Sequence, residues 1–293
     1  MDKLVYLIIL NWNGWQETIE CVESCLKLTY SNFHILVVDN GSTNESESIL
    51  RGRFPDIEFI QTGKNLGFAG GNNVGIKYAL EHGAFYVWLL NNDTVVDPEA
   101  LSKLVKVADE SEKTAIVGSK IYFCDEPQKI WFAGGFWRKN KLFASHRGDG
   151  EIDFGQYDEV CEVDFITGCS LLIKSSVIKE VGLMNERYFL YWEDIDWNAS
   201  VFNRGGKILY VPRSLVWHKI SGSIKIHSPL QFRYYIRNTL FFFQKHERGR
   251  LVRLIIQIAL DMIIFYAHGQ REMANSYFKG WLDFVVKRSG KIR

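Results

Sequence analysis

The stretch His34-Ile35-Leu36-Val37-Val38-Asp39-Asn40-Gly41-Ser42 decides the fold class. Its unbroken apolar run describes a strand buried on both faces, and the Asp-Asn-Gly-Ser run behind it is turn chemistry. Strands of this kind sit in parallel sheets, whose crossovers need helices. Working outward, the pattern recurs: strands are predicted at 4–10, 34–38, 57–61 and 85–90, with helices at about 15–28, 44–52 and 72–82 between them. Asp97-Pro98-Glu99 predicts another helix, with Asp97 as N-cap and Pro98 at its first position. Gly14, Asp39–Ser42 and Gly67–Gly75 follow the carboxyl ends of strands, where open α/β sheets bind ligands.

Beyond about residue 115 the pattern becomes mixed. Strands are predicted at 115–123, 130–137, 163–173 and 207–211, and short helices near 176–181 and 194–204, the latter stopped by Gly205-Gly206. Residues 230–285 read as wholly helical. The expected class is α/β, Rossmann-like: a mixed, mainly parallel central sheet flanked by helices, with a helical C-terminal extension. The expected division is a catalytic domain at 1–225 and a basic amphipathic region at 226–293.

Of 293 residues, 47% are apolar and 24% charged, which excludes disordered and fibrous classes. The net charge of +1 hides an asymmetry. Residues 225–293 carry 13 Lys/Arg against 4 Asp/Glu, so the tail is +9 and the body −8. Five cysteines without a paired CxxC indicate neither a disulfide framework nor a zinc site, and suit a reducing compartment. Leu4–Leu10 is too short for a signal peptide and runs into Asn11-Trp12-Asn13-Gly14 rather than a cleavage site. Residues 251–266 fall short of the ~20 apolar residues of a membrane span, and Arg253, Gln257 and Asp261 draw a polar stripe along them. Two readings stay open: a helix packed on the domain, or one lying at a membrane surface. In the second, Lys245, Arg248, Arg250, Arg271, Lys287, Arg288, Lys291 and Arg293 face anionic headgroups. Interspersed apolar faces and an acidic body argue against a nucleic-acid partner.

Five clusters could carry chemistry. Asp39, at a strand tip, can accept a hydrogen bond from the imide N–H of uracil or thymine, or simply shape a turn. Asn65-Leu66-Gly67-Phe68-Ala69-Gly70-Gly71-Asn72-Asn73 allows close backbone approach before a helix start, without the dinucleotide spacing. Trp88-Leu89-Leu90-Asn91-Asn92-Asp93 delivers a carboxylate suited to a divalent cation bridging phosphates. In Tyr191-Trp192-Glu193-Asp194-Ile195-Asp196-Trp197 three acids sit among aromatics, partly as helix-dipole compensation, and such surroundings raise a carboxylate toward general-base use. Val216-Trp217-His218 offers an imidazole, more often structural than ligating.

Taken in order, five segments resemble the family-2 inverting glycosyltransferases of the GT-A fold. They are Ile8–Gly14, Val37–Ser42, Asn65–Asn72, Leu90–Asp93 and Trp192–Asp196, spanning about 1–220. The Gly67–Asn72 loop, Asn91-Asn92-Asp93 and Tyr234-Tyr235-Ile236-Arg237-Asn238 look most like the bacterial rhamnosyltransferase branch. The resemblance implies that Asn11, Asn13 and Asp39 hold the nucleoside, with Asn65, Gly67, Gly71, Asn72, Asn91 and Asn92 around the nucleotide sugar. Asn91-Asn92-Asp93 stands where the family places its Asp-x-Asp metal motif, with a neutral amide at the first position. Asp93 and, by similarity to galactofuranosyltransferases, His218 are then ligands of Mg²⁺ or Mn²⁺. Asp194 matches the catalytic base. Thr167, Gly168, Trp192 and Glu193 are expected near the sugar or acceptor, Asp196 as a helix cap, and Trp131, Trp192 and Trp217 as stacking candidates.

The implied donor is a dTDP- or UDP-sugar, best dTDP-L-rhamnose, with UDP-hexoses and UDP-galactofuranose as alternatives. The implied acceptor is a glycan or polyprenyl-linked oligosaccharide, handled in the cytoplasm or at the inner face of the plasma membrane. A non-catalytic nucleotide-sugar binder is the competing class, favoured by Asn91 and opposed by Glu193-Asp194 and His218. The tail's expected partner is a membrane surface or a second copy of the chain.

Overall fold

The computed structural model describes residues 2–137, 144–220 and 228–292. The first half alternates strand and helix: β1 (Val5–Asn11), α1 (Trp15–Cys25), β2 (Phe33–Asp39), α2 (Ser46–Arg53), β3 (Glu58–Gln61), α3 (Gly67–Glu81) and β4 (Tyr86–Asn91). There follow β5 (Thr94–Val96), α4 (Ala100–Asp109), β6 (Thr114–Phe123), β7 (Ile130–Phe132), β8 (Gly135–Phe136), β9 (Ser145–His146), β10 (Cys161–Glu162) and β11 (Ser170–Lys174). Then come α5 (Ser175–Val181), α6 (Glu193–Phe202), β12 (Lys207–His218), α7 (Pro229–His246), α8 (Leu251–Ala267) and α9 (Arg271–Val285).

The main sheet runs β10-β12-β6-β11-β4-β1-β2-β3, with β5 on β12 and β7 on β6. Strands β3, β2, β1 and β4 are mutually parallel, whereas β11 lies antiparallel between β4 and β6. Chain order reverses at β1, so β1 and β4 flank the switch point where such sheets open a crevice. Register then builds the site. Asn11 faces Asp39, Asp39 faces Gln61, and Leu10 faces Asn91, so four strand tips meet at one edge. Because β11 runs the other way, its first residue Ser170 pairs with Leu90, which brings the turn before it, Thr167–Cys169, to the same edge. Val5, Leu7, Ile8, Ile9 and Trp88 are fully buried, as strands covered by helices on both faces must be.

Several elements depart from their predicted bounds. The glycine-rich segment, predicted as a loop before a helix at 72, is helix from Gly67 onward. Close packing explains this: a Cβ on Gly71 would strike Leu10, and one on Gly75 would strike Ile8. The bare α3 backbone thus lies on β1, and tertiary fit overrides weak helix propensity. Helix α4 starts at Ala100 rather than Pro98; Asp97 Oδ1 instead accepts from the Glu99 N–H at 2.8 Å. The strand predicted at 130–137 breaks between β7 and β8 near Gly134, which has φ 101°. Only 170–173 of the predicted strand 163–173 belongs to β11, which runs on to Lys174. By contrast, β12 runs on past the predicted 211 to His218, because Pro212 sits in a register shift between Val211 and Leu215 rather than at a strand end.

The C-terminal region forms α7, α8 and α9 with a 3₁₀ turn at Arg248–Arg250. Arg233 on α7 makes a forked bond to Asp283 on α9 at 2.7 and 3.1 Å, where Gly280 lets the helices close on each other. Only Leu254 and Ile258 of α8 are fully buried, while Val252, Ile256, Leu260 and Ile263 are exposed. The expected polar stripe is half-buried at Gln257 and Asp261, which bond each other at 2.8 Å. The expected boundary at 225/226 and the basic Arg293 lie outside the described residues.

Candidate active site

The tips of β1 and β2 carry a closed hydrogen-bond network. Asn11, fully buried, donates to Asp39 Oδ2 at 2.7 Å, and its Oδ1 accepts from the Gly14 N–H and the Thr18 hydroxyl. Asp39 Oδ1 accepts from the Ser42 N–H at 2.8 Å and from Gln61 Nε2 at 2.9 Å. Asn13, at φ 58°, donates its N–H to Ser42 Oγ and accepts from the Thr43 N–H. Asp39 is therefore solvent-inaccessible and supplied with donors, as a buried carboxylate must be. Sequence reading missed Gln61; the available signal was a polar residue ending a predicted strand.

The α3 entrance is fixed by amides. Asn65 Oδ1 accepts from the Gly67 N–H at 2.8 Å, and Asn40 holds both the Leu66 N–H and the Gly67 carbonyl. Gly67 has φ 76°, and a Cβ there would fall on the Phe189 carbonyl oxygen. Asn72, expected around the nucleotide sugar, donates to the Phe68 carbonyl of its own helix at 3.0 Å. Its neighbour Asn73, the last residue of the same cluster, ties α3 to Met184 and Glu186.

At the end of β4, Asn92 donates to the Gly14 carbonyl and to Thr18 Oγ1, locking the triplet against α1. Asp93 and His218, 125 residues apart in sequence, meet: Oδ1 and Nε2 are 3.1 Å apart and both residues are buried. The β5–β12 pairing causes this, setting His218 opposite Thr94. Trp131 braces the imidazole edge-on, with ring centroids 4.5 Å apart. His218 Nδ1 is buried with no hydrogen-bond partner among the described residues. A divalent cation held by both residues would replace the Nε2–Oδ1 contact and take its other positions from phosphate oxygens, whereas the unpartnered Nδ1 points away from Asp93. Among the described residues no group of three or more His, Cys, Asp or Glu could hold a metal alone.

The acidic cluster opens α6. Asp194 Oδ2 accepts from the Gly168 N–H at 2.9 Å, and Oδ1 from the Ile195 N–H at 2.8 Å. Burial raises its carboxyl above the ordinary value; bonds from Gly168, Ile195 and Thr167 offset only part of that. Glu193 is pushed up to about 8, by burial first and then by the Asp194 charge, and its Oε2 has no partner among the described residues. Burial acts on Asp196 too, but His246 and Lys245 outweigh it and hold that carboxyl below the usual range. Asn198, another residue missed from sequence, bonds both backbone groups of Ile166 and so holds the Thr167–Gly168 turn against α6. The Cys169 thiol is raised by burial and then by the charges of Asp93, Cys21 and Asp194, which puts both site acids in its neighbourhood. The Cys169 carbonyl also accepts from the Asn91 N–H at 3.0 Å.

Phe189, Tyr191 and Trp192 all have left-handed backbones, at φ 66°, 68° and 75°. Each non-glycine residue in that region costs roughly 1–2 kcal/mol. The Trp192 ring, expected to stack on a sugar, is covered by Phe242 and Tyr235 of α7 at centroid distances of 4.9 and 5.7 Å. Its indole Nε1 is left without a partner among the described residues. Trp217 stacks on Tyr122. Asp196, expected as a helix cap, pairs with α7 instead.

Asn11–Asp39, the end of β4 before Asp93, and the Thr167–Cys169 turn that holds Asp194 lie at one end of the sheet, and residues 6–182 match the profile of Glycosyl transferase family 2. The chain belongs to that family. This family-2 chain is 27% identical over 258 residues to the dTDP-rhamnosyl transferase RfbF of Shigella flexneri, covering 84% of this chain and 82% of that one. It is 26% identical over 206 residues to an N-acetylglucosaminyl-diphospho-decaprenol L-rhamnosyltransferase of Mycobacterium tuberculosis, covering 63% and 66%. Among solved structures, the mannosyltransferase PcManGT of Pyrobaculum calidifontis, in complex with GDP-Man and Mn²⁺, superposes with a TM-score of 0.62 at 13% identity, covering 97% of this chain and 88% of that one. The fold is GT-A, and the protein is a glycosyltransferase.

Proposed function

We propose that this glycosyltransferase moves L-rhamnose from dTDP-L-rhamnose to a hydroxyl of a glycan or polyprenyl-linked oligosaccharide, by single displacement with inversion. The observation that carries the reading is Asp194: a half-buried carboxylate, raised above its ordinary value and held by the Gly168 N–H in the turn that β11 brings to the same end of the sheet as Asn91 and Asp93. The rhamnosyl relatives favour the donor. Asp194 takes the proton of the acceptor hydroxyl as that oxygen attacks the anomeric carbon from the face opposite the leaving diphosphate. Asn11, Asp39 and Gln61 floor the base pocket, while Asn40 and Asn65 keep the α3 entrance open to the sugar. Glu193, protonated at neutral pH, orients the acceptor by donating a hydrogen bond. Asp93 and His218 would hold Mg²⁺ or Mn²⁺, which supplies positive charge against the departing diphosphate.

Asp194→Asn tests this. Binding of dTDP-L-rhamnose should stay near wild type while turnover falls by about 10²-fold or more; retained turnover removes Asp194 from the base role. A panel of UDP-glucose, UDP-galactose, UDP-N-acetylhexosamine and UDP-galactofuranose separates the alternative donors. Absence of nucleoside diphosphate release from every donor would favour a non-catalytic binder.

We further assign the tail to the inner face of an anionic membrane, with the catalytic domain at 1–225 and the basic region at 226–293 as separate working parts. Support comes from the exposed Val252, Ile256, Leu260 and Ile263 of α8 and from the +9 charge of residues 225–293. No helix among the described residues is long and apolar enough to cross a membrane. Full-length protein should pellet with phosphatidylglycerol vesicles at low salt, and Ile256→Glu with Ile263→Glu should abolish this. Equal pelleting of both forms defeats the assignment; concentration-dependent dimers lost in the same variant would place a second copy on that face.

A further inference from the structure

The polar face of α7 does more than fasten the tail to the body. Arg237 and Asn238 are both fully buried and adjacent. Arg237 Nε donates to Asn238 Oδ1 at 2.9 Å, which turns the Asn238 amide nitrogen toward the turn that precedes α6. That nitrogen lies 3.1, 2.8 and 2.8 Å from the carbonyl oxygens of Tyr188, Leu190 and Tyr191. Arg237 adds a second donor to the Tyr188 carbonyl at 2.8 Å. The carbonyls held in this way bracket Phe189, Tyr191 and Trp192, the three left-handed residues leading directly into Glu193-Asp194. The remaining carbonyl in the turn, that of Phe189, accepts from the Phe68 N–H at 2.7 Å, so the same turn also seats the start of α3.

Two turns further along α7 a second grip lies on the far side of the base. Lys245 Nζ and His246 Nε2 each reach Asp196 at 2.8 Å, and the Tyr188 hydroxyl donates to the same carboxylate at 2.9 Å. One helix therefore holds the chain before Asp194 through backbone carbonyls and after it through Asp196.

We propose that α7 is a splint for the base, with Arg237, Asn238, Lys245 and His246 as positioning residues that set the placement of Asp194 in the crevice. The inference rests on Asp194 being the base. It makes the helical tail part of the transfer apparatus rather than an attached anchor. None of the four residues need touch substrate, since the turn and α6 transmit their effect. A residue that only fastened the tail would change melting temperature alone. A positioning residue changes turnover and the pH at which the base titrates, while donor affinity holds.

The test uses full-length Asn238→Asp, Lys245→Met and Asp194→Asn. The first keeps the size and the acceptor for Arg237 but replaces the donating nitrogen. The second removes a half-exposed ammonium and leaves His246 on Asp196. Steady-state rates with dTDP-L-rhamnose and a diphosphate-linked acceptor are read from pH 5 to 9, beside donor binding and melting temperature. For Asn238→Asp, kcat should fall about 10-fold or more with donor KM within about threefold, since small misplacements of a reacting group are costly. The acidic limb of the kcat profile should move. Lys245→Met should move the same limb with a loss of about threefold in kcat. Folded Asn238→Asp with wild-type kcat and limb overturns the proposal, as does a loss confined to KM or melting temperature. If Asn238→Asp does not fold, Lys245→Met decides by the same criteria. Inactive Asp194→Asn beside wild-type behaviour of the α7 variants defeats the splint alone; active Asp194→Asn defeats the base assignment and the splint together.

Discussion

The two ends of the crevice are built on opposite principles. At the nucleoside end the buried Asp39 is met by Asn11, Ser42 and Gln61, all at 2.7–2.9 Å. At the end proposed to be catalytic, Glu193 Oε2, Trp192 Nε1 and His218 Nδ1 are buried without hydrogen-bond partners among the described residues, and three left-handed residues precede Asp194. Satisfied polar networks stabilise a fold, whereas unsatisfied buried groups and strained backbone are tolerated where chemistry needs them. On the proposed function, the contrast is that between a preformed receptor and a reactive centre. It also says how each should respond to damage.

The largest expected effect is on the reactive side. Asp194→Asn should lose about 10²-fold or more in kcat with a smaller loss of stability than Asp39→Ala, because the carboxylate it removes is held against its preference while only one of the Gly168 and Ile195 N–H groups loses its acceptor. A matching fall in stability would erase the contrast. Asp93→Ala comes next. It should abolish the dependence of rate on added Mn²⁺ or Mg²⁺ and weaken donor binding by about tenfold, one lost charge contact being worth roughly 1–3 kcal/mol; an unchanged cation titration rejects the assignment. Asp39→Ala should behave in the opposite sense to Asp194→Asn. It strands the donors on Asn11, Ser42 and Gln61, costs about 3 kcal/mol of stability, and raises donor KM more than it lowers kcat. Thermal melts beside steady-state kinetics check this.

The smallest effect concerns Glu193. Its folded pKa of about 8 lies above the ordinary carboxylate value, so between the two the folded chain keeps a proton that the unfolded chain has lost. Stability from this group is complete below the ordinary value and declines as pH rises toward 8. Glu193→Gln should therefore raise the melting temperature relative to wild type at pH 8 and leave it unchanged at pH 4. A gain of equal size at both pH values would show that Glu193 does not carry the proton.

The same division marks what the sequence made legible. Strands β1 to β4 and the tips Asn11, Asp39 and Asn91 followed from apolar runs ending in polar residues, because parallel register alone aligns those tips. Gln61 belongs to that row and was overlooked, although the strand carrying it was placed correctly. The helical start at Gly67 was hidden because glycine-rich propensity argues for a loop, while contact with Leu10 and Ile8 demands the missing side chains. On the catalytic side the acids themselves were legible. Their partners were not: Asn198 lies one helical turn past Asp194, and Lys245 and His246 lie about fifty residues beyond Asp196. No local pattern encodes a contact made by a distant helix. Likewise Trp192 read as a sugar platform because its burial under Phe242 depends on where α7 docks.

The most direct test of the shared crevice is a crystal structure of the full chain with dTDP and Mn²⁺, the ion located by its anomalous scattering. The account predicts one Mn²⁺ peak bridging Asp93, His218 and the diphosphate, with the thymine over the Asn11–Asp39 network and Asp194 beyond the β-phosphate. A metal held instead by Glu193 or Asp196, or a nucleotide seated away from Asp39, would contradict it.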